Sequence, residues 1–245
     1  MSKYYTSIEC FDGFGSQYQK KLQTYIYCKI HNMNFAYNKF KEVEHNYDND
    51  IEYINKLEDL INLKENILNL TDTMNYEYLD YGSIVRPYFE ENIDMCCQSE
   101  HMKFIKDCFW FNKDRDFFKN GKFNVSVHIR RENYVDNGSA GDRVTTPNSY
   151  YLGVMNLIRE KYKEKDILFH IYSQGLIDNF RDLESDNVIF YLNYDIIKTF
   201  KGLVSADVLV ISPSSFSYVA GLISDGEVYY KKFWHNPRKE WIICC

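Results

Sequence analysis

The sequence predicts an α/β protein of two Rossmann-like halves, residues 1–120 and 121–245, with mainly parallel sheets and a ligand cleft between them. Three observations lead there. A short β-favouring run at residues 4–10 is closed by Asp12-Gly13-Phe14-Gly15 and followed by Tyr18, Leu22, Tyr25, Ile26 and Ile30 at helical spacing, which reads as strand, glycine loop, helix. From Phe123 onward, Phe123, Val125, Val127 and Ile129 alternate with Asn124, Ser126, His128 and Arg130, the period of a strand with one polar face. Three compact apolar runs follow, at 167–172, 188–192 and 208–211, separated by stretches of helical length near 150–162, 175–183 and 195–204. Strands alternating with helices form parallel layers, and ligands gather at the carboxyl ends of the strands.

Between these regions, Ile51, Ile54, Leu57, Ile61 and Leu68 form a second helical stripe, and residues 92–119 read as helical or irregular. The 245 residues carry 29 Lys and Arg against 35 Asp and Glu, a formal charge of −6 that is the wrong sign for gripping nucleic acid. No apolar run approaches the roughly 20 residues that cross a bilayer, and no signal region is expected at the N-terminus. The 7 cysteines lack Cys-x-x-Cys spacing, so neither a disulfide framework nor a zinc site is expected, and a cytoplasmic location fits best. The sequons at Asn69, Asn124 and Asn137 then carry no meaning. Cys244-Cys245 lacks a polybasic tether and is not a prenylation box. The 42 aromatic residues (22 Tyr, 17 Phe, 3 Trp) accompany abundant Asn, Lys and Ile, the bias of an A+T-rich genome.

The strongest chemical constellation is His128-Ile129-Arg130-Arg131. Alternation puts His128 and Arg130 on one face, about 7 Å apart at the strand's carboxyl end. A guanidinium fork there suits a diphosphate, whose oxygens accept paired hydrogen bonds. The bland alternative is an edge strand with its arginines in solvent. The second constellation is Ser212-Pro213-Ser214-Ser215-Phe216-Ser217, where a buried strand gives way to an apolar helical pattern. Its serines can cap the helix or help bind an anion, and the same atoms serve both purposes. The third, Phe11-Asp12-Gly13-Phe14-Gly15-Ser16-Gln17, lacks the third glycine of a dinucleotide fingerprint, and the chain has no Gly-x-x-x-x-Gly-Lys phosphate loop. A methyltransferase loop would look similar but would want an acid after the second strand, which Phe35-Ala36-Tyr37-Asn38 does not supply. The triplets Asp48-Asn49-Asp50 and Asp114-Arg115-Asp116 read as solvated charge rather than a metal site.

These elements in this order resemble the fucosyltransferase superfamily, whose two Rossmann-like domains form a GT-B fold. Phe14-Gly15-Ser16-Gln17 is similar to its Gly-x-Gly-Asn-Gln loop, His128-Ile129-Arg130-Arg131 to its His-x-Arg-Arg motif, Ser149-Tyr150-Tyr151-Leu152 to its Tyr-Tyr segment and Ser214-Ser215-Phe216-Ser217 to its Ser-Ser-Phe-Ser turn. The size and A+T bias also resemble the soluble glycosyltransferases of large algal viruses, which would put the protein in the host-cell cytoplasm. The resemblance implies a metal-independent inverting glycosyltransferase with no cofactor, taking a nucleotide sugar on the C-terminal half and a glycan acceptor on the N-terminal half. Together with the reading of the residues it gives an expected donor site of Gly13, Phe14, Gly15, Gln17, His128, Arg130, Arg131, Ser173, Gln174, Ser214, Ser215 and Phe216, with Arg130 and Asp12 expected to be catalytic.

Two departures stand out. Asn133 replaces the Asp that often follows the arginines, and Gln174-Gly175 follows the strand where relatives carry an aspartate that reads guanine. Gln174 cannot accept two bonds from guanine's donor edge as a carboxylate does, so the reading leans to UDP-xylose, with GDP-fucose next. Asp12 is the first choice for general base, with Asp72, Glu132, Asp136 and Asp142 behind it. The alternatives are a sugar-nucleotide or glycan-binding protein without catalysis, a metal-dependent GT-A transferase, and a SAM-dependent methyltransferase.

Overall fold

A computed structural model describes residues 2–46, 48, 50–131 and 146–244. The chain divides into two compact units, Met1–Asp114 and Arg115–Cys245.

The first unit contains β1 (Tyr4–Thr6), α1 (Phe14–Ile30), α2 (Tyr53–Ile61), β2 (Tyr76–Tyr78), a π-helical turn (Tyr81–Val85), α3 (Arg86–Glu91), α4 (Ile93–Gln98) and α5 (Glu100–Trp110). Phe14, Tyr18, Leu22 and Ile26, four residues apart along α1, are all buried, so one face of the helix is committed to the core. The helical stripe expected over 51–68 forms only as α2. Asn62 follows it in the left-handed conformation (φ 54°), which ends the helix. β1 pairs in parallel with β2, and single parallel bridges from Tyr5 to Phe35 and from Tyr37 to Asn69 extend this small sheet.

The second unit runs β3 (Phe123–Ile129), α6 (Asn148–Lys161), β4 (Ile167–Ser173), a 3-10 helix (Ile177–Leu183), β5 (Val188–Leu192), α7 (Ile196–Val204), β6 (Val208–Val210), α8 (Ser215–Ile223), β7 (Glu227–Lys231) and β8 (Ile242–Cys244). All six strands are parallel, in the order β5-β4-β3-β6-β7-β8. Counted from β3 this is 3-2-1-4-5-6, the doubly wound dinucleotide-fold order, so the α/β class with parallel sheets holds.

β3 departs from its expected surface. Its polar face is internal, because Asn124, Ser126 and His128 are buried along with Val125, Val127 and Ile129. Each finds a partner. The Asn124 side chain meets His170 Nε2 at 2.8 Å, Ser126 Oγ donates to the Gly202 carbonyl of α7 at 2.7 Å, and His128 meets Ser212. An edge strand is therefore excluded. α7 lies so close that a Cβ on Gly202 would sit 2.1 Å from Tyr172 Oη, which is why a glycine stands there. On the opposite face, Tyr151, Met155 and Ile158 of α6 cover Val125, Val127, Phe169 and Ile171 in one buried cluster.

Candidate donor site at the strand-order reversal

In a doubly wound sheet the chain turns in opposite directions after the first and fourth strands, leaving a crevice at their carboxyl ends where ligands bind. Here those strands are β3 and β6. Val127 lies beside Val210, so residues 128–131 and 211–215 emerge next to one another. The two ends are joined by a hydrogen bond of 2.8 Å between His128 Nδ1 and Ser212 Oγ. Ser217 Oγ steadies the turn by accepting from Ser212 N and donating to Ser212 O, both at 3.2 Å. Ser214, in extended conformation, caps α8 by accepting from Phe216 N at 3.3 Å, and α8 begins at Ser215. The N-terminal N–H groups of α8 and their partial positive charge thus lie at the reversal. The Phe216 ring packs 5.5 Å from His128 and 5.4 Å from Phe200.

Burial, reinforced by the Arg130 charge, pushes His128 down to about 3, and burial pushes His170 down to about 4. Both rings are neutral at physiological pH, so His128 can offer one N–H or one lone pair but no charge. Because both folded-state values lie below the ordinary 6.5, stability is complete above pH 6.5 and falls as the pH drops and the unfolded chain takes up protons. Unfolding free energy measured at pH 5 should be lower than at pH 7 by about 2 kcal/mol for each of these two histidines, and His128 or His170 imidazole resonances that titrate near 6.5 in the folded protein would contradict this burial.

Arg130 leaves the end of β3 half-buried, donating from Nη1 to Gln174 Oε1 at 3.1 Å and to the Arg131 carbonyl at 2.7 Å. Arg131 takes a different direction. It donates to the Thr146 carbonyl at 3.0 Å and to Asn148 Oδ1, and its guanidinium lies 5.4 Å from the Phe180 ring centroid. Asn148 in turn donates to Asp182 and to the Asn179 carbonyl, each at 2.7 Å. Arg131 therefore fastens the start of α6, and the two guanidiniums expected to act together have separate partners. Ser173 is also structural, its Oγ donating to the Ile129 carbonyl at 2.8 Å between neighbouring strands.

The glycine-loop residues belong to the first unit. Phe14 and Gly15 are buried in α1, and Gln17 Nε2 donates to the carbonyls of Asp12 (2.6 Å) and Glu42 (2.8 Å). A Cβ on Gly13 would come within 3.1 Å of the His45 ring, closer than ordinary van der Waals contact. Asp12 Oδ2 accepts from Ser16 Oγ (2.5 Å) and pairs with Lys20 Nζ (2.7 Å). Burial raises the Asp12 carboxyl, but hydrogen bonds from Lys20, Ser16 and Cys10 outweigh it and hold the group below the usual carboxylate range, which weakens it as a base. Glu132, Asn133, Asp136, Asp142 and the Asn137 sequon lie outside the described residues, as do Asn49 and Cys245. Asp50 pairs with Lys56, and Asp116 caps Lys119 N. Among the described residues, no group of three or more His, Cys, Asp or Glu side chains could hold a metal, and no helix is long and apolar enough to cross a membrane.

Sequence reasoning named the serine turn, Ser212 included, but not the hydrogen bond that joins Ser212 to His128.

The reversal point of this Rossmann unit thus presents an arginine, a neutral histidine and a capped helix start, groups whose chemistry suits an anion. The family model described as Glycosyl transferase family 11 matches residues 112–236, which span β3 to β7 and this whole constellation. The chain belongs to that family, within the fucosyltransferase superfamily its motifs resemble, and is a glycosyltransferase whose substrates are a nucleotide sugar and a glycan acceptor. No curated protein matches it.

Proposed function

We propose that the second unit binds a nucleoside-diphosphate sugar at the reversal point and that the enzyme transfers the sugar with inversion and without a metal ion, the first unit serving the acceptor. The observation that carries this reading is the His128–Ser212 hydrogen bond, which brings the Arg130 strand end and the α8 N-terminus to one place. As an acceptor hydroxyl attacks the anomeric carbon, negative charge grows on the departing diphosphate. Arg130 and the α8 N–H groups oppose that charge in the role a metal ion would otherwise fill. A carboxylate takes the hydroxyl proton. Asp12 remains the candidate in the first unit, weakened by its Lys20 pair, with Asp72 next.

The nucleotide is read as UDP. Gln174 Oε1 already accepts from Arg130, which leaves the amide N–H groups to meet a base. They match carbonyl oxygens, such as those of uracil, and not the donor edge of guanine. UDP-xylose is the donor this favours. Family membership supports a second reading, GDP-fucose.

A thermal-shift panel of UDP, GDP, ADP and CDP separates them, since a ligand at 100 times its Kd stabilises by about 2.7 kcal/mol. UDP should stand out, and UDP release from UDP-xylose in the presence of acceptor should be unchanged by EDTA. A shift with GDP alone moves the assignment to fucose, a chelator-sensitive rate removes the metal-free mechanism, and no shift with any nucleotide overturns the site.

A further inference from the structure

The contact between Arg130 and Gln174 depends on a turn whose shape is set from another strand. Gly175 has φ +119°, a conformation that side-chain-bearing residues rarely adopt. Asn193, just past the end of β5, grips it on both sides: Asn193 Oδ1 accepts from Gly175 N at 3.0 Å, and Asn193 Nδ2 donates to Gly175 O at 3.0 Å. Asn193 is itself left-handed (φ 53°), and its backbone N–H donates to the Ser173 carbonyl at 2.9 Å, so backbone and side chain hold residues 173–175 together. On the far side, Leu176 N donates to Asn179 Oδ1 at 3.2 Å. Gln174 is thus suspended between fixed neighbours with its Oε1 on Arg130 Nη1.

We propose that Asn193 is a positioning residue of the donor site. It holds the Gly175 turn, the turn holds Gln174, and Gln174 aims the Arg130 guanidinium at the diphosphate. Asn193 contacts neither Arg130 nor the ligand, and its effect passes through one side-chain hydrogen bond. The assignment rests on the donor-site reading above. It adds the claim that the clamp controls the diphosphate grip through Arg130, beside any contact that the Gln174 amide makes with the base. The amide is suited to this task because one planar group both accepts from the N–H and donates to the carbonyl of the same residue. Asp can keep only the accepting half, and Gly keeps the left-handed backbone while removing both bonds.

The test uses the full chain and calorimetric titration with UDP, GDP and inorganic pyrophosphate. The better-binding nucleotide of the wild type sets the reference. Asn193→Gly should weaken that nucleotide and pyrophosphate by a similar factor of about ten, Asn193→Asp by less, and Gln174→Ala should weaken pyrophosphate by as much as Asn193→Gly. For pyrophosphate the double variant Asn193→Gly/Gln174→Ala should lose no more than either alone, because both remove the same support from Arg130. In turnover, kcat should fall and KM for the nucleotide sugar should rise with KM for acceptor unchanged, a split that general loosening of the fold would not give. Nucleotide binding by Asn193→Gly within twofold of the wild type overturns the assignment while leaving the donor site standing. So does loss of nucleotide binding with pyrophosphate binding intact, which would move the clamp's role to the base. If the wild type binds neither nucleotide nor pyrophosphate, the donor-site reading fails and this assignment fails with it.

Discussion

Replacing Arg130 with alanine should lower kcat by about 10²–10³, the loss typical of removing one preorganised donor aimed at developing charge, or about 3–4 kcal/mol of transition-state stabilisation. The effect should fall on kcat more than on KM, because the leaving diphosphate carries more charge in the transition state than in the bound donor. Arg130→Lys keeps the charge but not the planar fork that reaches Gln174 Oε1 and the Arg131 carbonyl, so its activity should lie between alanine and wild type. Steady-state kinetics with saturating acceptor measures both. An Arg130→Ala enzyme within tenfold of the parent contradicts the role assigned to this side chain.

Phe169→Ala should have the largest effect on stability, a loss of about 3–5 kcal/mol. Phe169 is wholly buried in β4, paired in register with Val125 of β3 and Val188 of β5, and it belongs to the cluster that α6 covers. The Arg159 guanidinium lies 4.7 Å from its ring centroid, so truncation removes a cation–π contact along with the buried ring and leaves a cavity between sheet and helix. The substitution does not touch the reversal point, so activity should persist at temperatures where the variant remains folded. Urea unfolding gives the number, and a loss under about 1 kcal/mol would show that the site collapses around the missing ring.

The second unit was legible because its strands are nearly continuous apolar runs of the length that buried parallel strands need, and because Ser214 and Ser215 stand where a local rule places a helix start. The environment of β3 was less legible. Strict alternation normally marks a strand with one wet face, yet Asn124, Ser126 and His128 are satisfied from within by residues 46, 76 and 84 positions away. The contacts of Arg131 were illegible for the same reason. Nothing local shows that it donates to the Thr146 carbonyl, and Thr146 becomes a neighbour only once α6 packs. In the first unit, strands of three residues and single bridges leave too short a period to read, while the α1 stripe was plain in the sequence. Asn193 could be found only through its contact across the sheet with Gly175.

A crystal structure of the protein soaked with UDP would probe the central claim most directly. The account predicts diphosphate oxygens within hydrogen-bond reach of the Arg130 guanidinium and the first N–H groups of α8, with the His128–Ser212 bond retained beneath them. A nucleotide bound with its phosphates away from both groups would contradict it.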